Sequence, residues 1–240
     1  MTTEADMRGN RVLAAVPRPE LDRLAEHLEP VTLKVGDMLY EIGGSVPHVY
    51  FPLTAVLSLI TDVGNGHGHF VEVATVGDEG LAGLPVFLGA GPPSERATVQ
   101  IAGSALRIGA EQFRHDVVVL DGGLQTAIQR YVQAMFTMMA RNAACNRAHN
   151  IRQRCARWLL MTADRVHSDS FSLTQEFLAQ MLGVRRASVS EVATALAADG
   201  CIRYSRGTID VTDHERLQEH ACSCYAVIRD AFAVAYEGLG

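Results

Sequence analysis

A single lysine, Lys34, stands in the 240 residues, so the basic charge of this chain is carried almost wholly by arginine. The consequence is chemical, because a planar guanidinium can grip a phosphate or a guanine edge through two parallel donors and an ammonium cannot. Long hydrophobic runs are missing too. No stretch of about 18 uncharged apolar residues occurs, and the segment Met1 to Asn10 is polar and acidic, which excludes a spanning helix or an export signal of ordinary type and makes a cytoplasmic protein the expectation. Cysteine is absent before Cys145. The five that follow (Cys145, Cys155, Cys201, Cys222, Cys224) are odd in number and clustered late, so a secreted disulfide framework is excluded and reduced thiols are expected.

What is present describes a folded protein of more than one core. Apolar residues make up 48% and charged residues 20%, too hydrophobic for disorder, and the length suits two domains better than one. The formal charge of −6 argues against a general affinity for polyanions. Its distribution is uneven. Between Ile151 and Gly207 eight arginines (152, 154, 157, 165, 185, 186, 203 and 206) face five acids (164, 169, 176, 191 and 199).

Up to about Arg107 short apolar runs alternate with glycine-bearing turns: Val31 to Leu33, Met38 to Tyr40, Val49 to Phe51, Val56 to Ile60, Phe70 to Val76, Thr98 to Ile101 and Ala105 to Ile108. Short strands so punctuated predict an all-β sandwich or barrel. From Leu124 the period becomes helical. Leu124, Ile128, Tyr131, Met135, Met138, Asn142, Cys145 and His149 alternate steps of four and three, a seam that predicts a dimerisation helix, with a second stripe of Val132, Phe136, Met139 and Ala143 beside it. One stripe is free to pack on the chain's own β domain while the other meets a second copy. The fold expected is therefore α+β: a β domain over 1–123, a dimer helix over 124–149, and a further helical domain over 150–240.

Residues 174–194 carry the functional signal. Thr174 is a good N-cap, Leu178 and Leu182 give one helix its buried face, Ala179 is small where a second helix would cross, and Gly183 permits a left-handed turn plugged by Val184. Val189, Val192 and Leu196 face inward on the second helix. Arg185, Arg186, Ser188, Ser190, Glu191 and Thr194 are left outside, as a major groove requires. The runs Cys201 to Tyr204 and Thr208 to Val211 then predict a β-hairpin wing, with Arg203 and Arg206 placed to meet the sugar-phosphate backbone.

On these residues, together with Lys34-Val35-Gly36-Asp37, Gly77 to Gly83, and Leu173 to Glu176 running on to Arg186, the chain resembles the Crp/Fnr regulators over nearly its whole length. The resemblance implies a β-roll or jelly-roll, cyclic-nucleotide-binding-like sensor domain over 1–123, a dimerisation helix over 124–149 and a winged helix-turn-helix DNA-binding domain over 150–240, and so a transcription regulator rather than an enzyme. It implies a homodimer on near-palindromic double-stranded DNA with half-sites about 34 Å apart, and RNA polymerase as a further partner. The effector pocket of such a protein falls on Gly77, Glu79, Gly80, Ala82, Arg96, Ala97, Thr98 and Tyr131. Yet Ala82 stands where the ribose-binding Glu would be and Ala97 where a phosphate-binding Ser would be, so cyclic AMP is not the expected effector. No cysteine is available for an N-terminal iron–sulfur cluster. The effector, and with it any cofactor, stays unknown. Glu191, where the best-known recognition helices carry Arg, predicts a different operator, with Arg186 reading guanine.

A rival reading is a metal-dependent, cupin-like enzyme with an accessory helical domain, prompted by His67-Gly68-His69. The nearest acid, Glu72, falls on the strand face opposite His69, and His48 is the only third histidine of the β region, so no metal site is expected there. Cys222-Ser223-Cys224 has a spacing suited to a redox or metal switch, but on a C-terminal helix from Asp213 to Tyr236 the two side chains would lie about 200° apart, which hinders an intramolecular disulfide and makes structural or inert thiols the expectation.

Overall fold

The structure, a computed structural model, describes residues 4–64, 70–89, 91–119, 122–205 and 207–239. Three short helices, α1 (Glu4–Arg8), α2 (Arg11–Ala14) and α3 (Arg18–Ala25), precede seven strands: β1 (Glu29–Leu33), β2 (Met38–Tyr40), β3 (His48–Pro52), β4 (Val56–Asp62), β5 (Phe70–Val76), β6 (Arg96–Ile101) and β7 (Gly103–Gly109). A short helix α4 (Leu84–Leu88) separates β5 from β6. Then come α5 (Ala110–Val119), α6 (Gly123–Ala148), α7 (Ile151–Val166), β8 (Ser170–Ser172), α8 (Gln175–Leu182), α9 (Arg186–Ala198), β9 (Ile202–Ser205), β10 (Thr208–Val211), α10 (His214–His220) and α11 (Cys224–Val234). Each apolar run read from the sequence becomes a strand. They form two sheets, ordered β1-β7-β3 and β2-β6-β4-β5, and a third, β8-β10-β9, follows near the C-terminus. The fold is α+β: a β domain, a long helix and a helix-turn-helix domain.

Contacts divide the chain into two units. The first comprises Met1–Ile60, Thr75–Phe136 and Ala231–Gly240, the second Thr61–Ala74 and Thr137–Asp230. This differs from a linear partition at 123 and 149, because side chains remote in sequence do the joining. Tyr236 donates its hydroxyl to the Glu79 carbonyl at 2.6 Å, and the Tyr131 and Phe232 rings stand 6.1 Å apart, which draws the last residues into the first unit. Trp158 donates its indole N–H to Glu72 at 2.8 Å and Asn142 donates to the Val73 carbonyl at 2.9 Å, which draws the β4–β5 tip into the second.

Two buried polar side chains organise the first unit. Asn10 caps α2, accepting from the N–H groups of Val12 and Leu13, and its amide donates to the carbonyls of Pro52 and Gly80. Glu20 accepts from the N–H groups of Gly123 and Leu124, both at 3.1 Å, so a carboxylate closes the positive end of α6. Gly123 has to be glycine here, since a Cβ would stand 2.3 Å from Pro17.

The seam along α6 is turned inward. Leu124, Ile128, Tyr131, Met135, Met138 and Cys145 are at most 3% exposed within a single chain, and Asn142 and His149 are half-buried. Six of the eight are thus taken up by packing within a single chain, against the dimer surface that their spacing suggested. The second stripe is the open one, with Phe136 67% and Met139 38% exposed.

The C-terminal helix also differs from expectation. It breaks at Ala221, whose backbone is extended (φ −77°, ψ 155°), so that α10 and α11 are separate and Cys222 lies outside both.

Candidate nucleic-acid interface

Residues 174–198 form two helices joined by a tight turn, placed as the sequence predicts. Thr174 adopts extended backbone and its hydroxyl accepts from Phe177 N–H at 3.1 Å, fixing the start of α8. Gly183 ends that helix at φ +63°, where a side chain would be strained, and Val184 N–H returns to the Ala179 carbonyl at 2.9 Å. Leu178, Ala179 and Leu182 on α8 and Val189, Val192 and Leu196 on α9 are all buried, a two-helix contact that leaves one side of α9 outside.

That outer side begins with Arg185 and Arg186. Both are exposed, and neither guanidinium has an ion-pair or hydrogen-bond partner among the described residues. Arg185 occupies the N-cap without a side-chain bond to the first turn, and no acid sits in that turn. Helix dipole and two guanidiniums thus reinforce one another, leaving an electropositive end with open N–H groups that suits a phosphate or a guanine edge. Glu191 and Thr194 are exposed and Ser188 and Ser190 half-buried. The Thr194 hydroxyl donates to the Ser190 carbonyl at 2.8 Å, so toward a ligand it is an acceptor only.

The wing is formed by β9 and β10, with Arg203 exposed opposite Asp210 and Leu173 N–H bonded to the Gly207 carbonyl at 2.7 Å. β8 adds a third strand, pairing Phe171 with Ile209. Arg206 lies outside the described residues, as do His67 and His69. Glu72, the acid weighed with those histidines, is instead the acceptor for Trp158.

The arginine excess of this region resolves into two groups with different work. All four arginines of α7 turn inward. Arg154 donates to the Leu182 carbonyl at the negative end of α8, which steadies the turn, and burial lowers its basicity. Arg152 pairs with Asp199 at the end of α9 and reaches His220 at 3.3 Å. Arg157 donates to Asn142 Oδ1 at 2.8 Å and Arg165 to the Met161 carbonyl at 2.8 Å. Composition alone could not separate these cations from Arg185, Arg186 and Arg203. The signal was available, however, since Arg154, Arg157 and Arg165 fall among the apolar residues of an amphipathic helix.

The effector-pocket candidates divide. Gly77, Glu79, Gly80, Ala82 and Tyr131 come together, but they are engaged with their own chain. Glu79 Oε2 accepts from Gly77 N–H at 3.1 Å, Gly80 lies flat against the Tyr131 ring, the Tyr131 hydroxyl donates to the Leu81 carbonyl at 3.1 Å, and Ala82 exchanges backbone bonds with Tyr50. Arg96, Ala97 and Thr98 lie on β6, opposite Ile60, Leu59 and Ser58 of β4, and the Thr98 hydroxyl donates to the Asp37 carbonyl rather than to any ligand.

Comparison with known proteins points in one direction. A family model described as the Crp-like helix-turn-helix domain matches residues 153–220. No curated protein matches the sequence. Among solved structures, FixK2 from Bradyrhizobium japonicum is 15% identical with a TM-score of 0.67, covering 82% of this chain and 98% of its own. CLP, the c-di-GMP responsive global regulator of Xanthomonas campestris, is 13% identical with a TM-score of 0.66, covering 82% and 100%. A CRP/FNR-family transcriptional regulator of Thermus thermophilus is 21% identical with a TM-score of 0.64, covering 80% and 98%. No described helix is long and apolar enough to cross a membrane.

Proposed function

We propose, from the premise that this chain carries a Crp-like helix-turn-helix domain within the Crp/Fnr-regulator fold, that it is a transcription regulator reading near-palindromic DNA as a homodimer. The observation that carries the reading is the exposed, uncapped start of α9 with Arg185 and Arg186 free of partners among the described residues. Arg186 reads a guanine, Glu191 accepts from a cytosine, and Arg203, with Arg206, holds the backbone. An effector other than cyclic AMP acts on the β domain, and RNA polymerase is the further partner.

Selection of bound duplexes from a random pool tests this directly, since the expected product is a palindrome with half-sites one helical turn apart. On the selected duplex, Arg186→Ala should cost about 1–3 kcal/mol of specific binding, while Arg203→Ala should weaken specific and random duplexes alike at fixed salt. Equal losses on both duplexes from Arg186→Ala would overturn the assignment.

The second copy meets the stripe of Val132, Phe136, Met139 and Ala143. Repeating every three or four residues and carrying a largely exposed phenylalanine, it has the form of a helix–helix seam. Phe136→Asp should shift the dimer to monomer at micromolar concentration in sedimentation experiments and remove operator binding with it. A variant that stayed dimeric would place the interface elsewhere.

A further inference from the structure

The four side chains that the DNA-binding reading leaves unused converge at one point of the second unit. His149 directly follows α6 and bonds its N–H to the Cys145 carbonyl at 3.1 Å, so the two residues stand one turn apart. Cys222 and Cys224 arrive from the break between α10 and α11, where the extended backbone of Ala221 brings together two thiols that a continuous helix would have splayed. The three sulfur atoms and a ring nitrogen of His149 all lie within 4.8 Å of one another, with Cys145 Sγ to Cys222 Sγ at 3.4 Å and Cys224 Sγ to His149 Nδ1 at 3.9 Å. The thiols are at most 4% exposed and His149 is half-buried.

These separations match one coordination sphere. Four ligands about 2.3 Å (sulfur) and about 2.0–2.1 Å (nitrogen) from a tetrahedral ion stand roughly 3.5–3.8 Å from each other. A polynuclear iron–sulfur cluster needs its thiolates farther apart, because irons and sulfides stand between them. We propose that Cys145, His149, Cys222 and Cys224 form a structural site for a single thiolate-preferring divalent ion of the zinc class.

The surroundings supply what such a site requires. On binding, each thiol still protonated gives its proton to solvent, and three thiolates with a dication leave one net negative charge beside neutral imidazole. The guanidiniums of Arg157 and Arg154 interact favourably with Cys145 and Cys222 and provide the countercharge. The Nε–H groups of both arginines are buried without a partner among the described residues, as donors awaiting an anion would be. Cys145 and Cys222 already share a sulfur–sulfur hydrogen bond at 3.4 Å, so the ligands stand together before an ion arrives. Four protein ligands close the sphere, so the ion would be structural, tying the end of α6 to the start of α11. Cys155 is the contrast: it is buried, burial alone pushes it up to about 12, and it stands outside the cluster.

Elemental analysis of the full chain purified with zinc in the medium should find one zinc per chain. Cys222→Ser and Cys224→Ser should lower that content at least tenfold, whereas Cys201→Ser, a buried thiol outside the cluster, should retain it. Because a ligand variant can fail to fold, the unmodified chain is also exchanged with cobalt(II). Intense tetrahedral d–d bands with thiolate-to-cobalt charge transfer are then expected. Substoichiometric zinc after refolding with excess zinc, weak octahedral cobalt bands, a Cys145–Cys222 disulfide by mass spectrometry, or equal zinc loss in Cys201→Ser would each overturn the proposal.

Discussion

Asn10→Ala should cost about 3–5 kcal/mol of stability in chemical denaturation of the full chain, the largest loss we expect from any single truncation. The side chain is fully buried and makes four bonds. Its oxygen accepts from Val12 N–H at 3.1 Å and Leu13 N–H at 3.3 Å, and its nitrogen donates to Pro52 O at 2.9 Å and Gly80 O at 2.8 Å. Truncation strands two carbonyls and two amides where water has no ready access, and each stranded group costs about 1–3 kcal/mol. Asn10→Asp discriminates between the two ends. It keeps the cap but turns an anion toward two carbonyl oxygens, so its carboxyl should titrate higher folded than unfolded. Part of its deficit should then be recovered as pH falls below the folded value and be present in full at neutral pH. A loss below about 1 kcal/mol for Asn10→Ala would show that water or a small rearrangement satisfies these groups.

Gly80→Ala should be nearly as damaging, at about 2–4 kcal/mol, although it adds a single methyl group. A Cβ there would lie 2.3, 2.5 and 2.6 Å from the Cε2, Cζ and hydroxyl oxygen of Tyr131. No real contact is so short, and the ring cannot swing away. Tyr131 is completely buried, its hydroxyl is bonded to Leu81 O, and Phe232 packs beside it. Gly80 O is also an acceptor for Asn10, so displacement of this turn would spread to the α2 cap. If the ring contact is the cause, Tyr131→Leu in the Gly80→Ala background should restore part of the loss and the double-mutant cycle should show strong coupling. Additive losses would mean that strain in the Gly77 to Ala82 segment, not the ring, sets the cost.

The helix-turn-helix region was the more legible part. Thr174, Ala179, Gly183 and the inward positions of α9 form a local code, since caps, left-handed glycines and three-to-four spacing act within a few residues of the chain. Strand positions were legible for the same reason, as short apolar runs between glycine-bearing turns are written in neighbouring side chains. The N-terminal helices, α4, α5 and β8 were not read. They are short and bound by distant partners, as when β8 is defined by pairing with β10 and α2 by an asparagine reaching Pro52 and Gly80.

The sequence by itself determined the positions of β1 to β7, β9 and β10, the two-helix motif, the long helix and the choice of Arg185 and Arg186 as outward groups. Local propensity and periodicity suffice for these. Only tertiary structure decided which of the two stripes on α6 the chain buries, because both have the same period and the rest of the fold competes for one. It also decided which partners the arginines of α7 take, from Asn142 to the C-terminal ends of α8 and α9. Above all it brought Cys145 and His149 to Cys222 and Cys224 across more than seventy residues. A broken helix at Ala221 turned two thiols to one point, and no spacing rule within a helix would have placed them there.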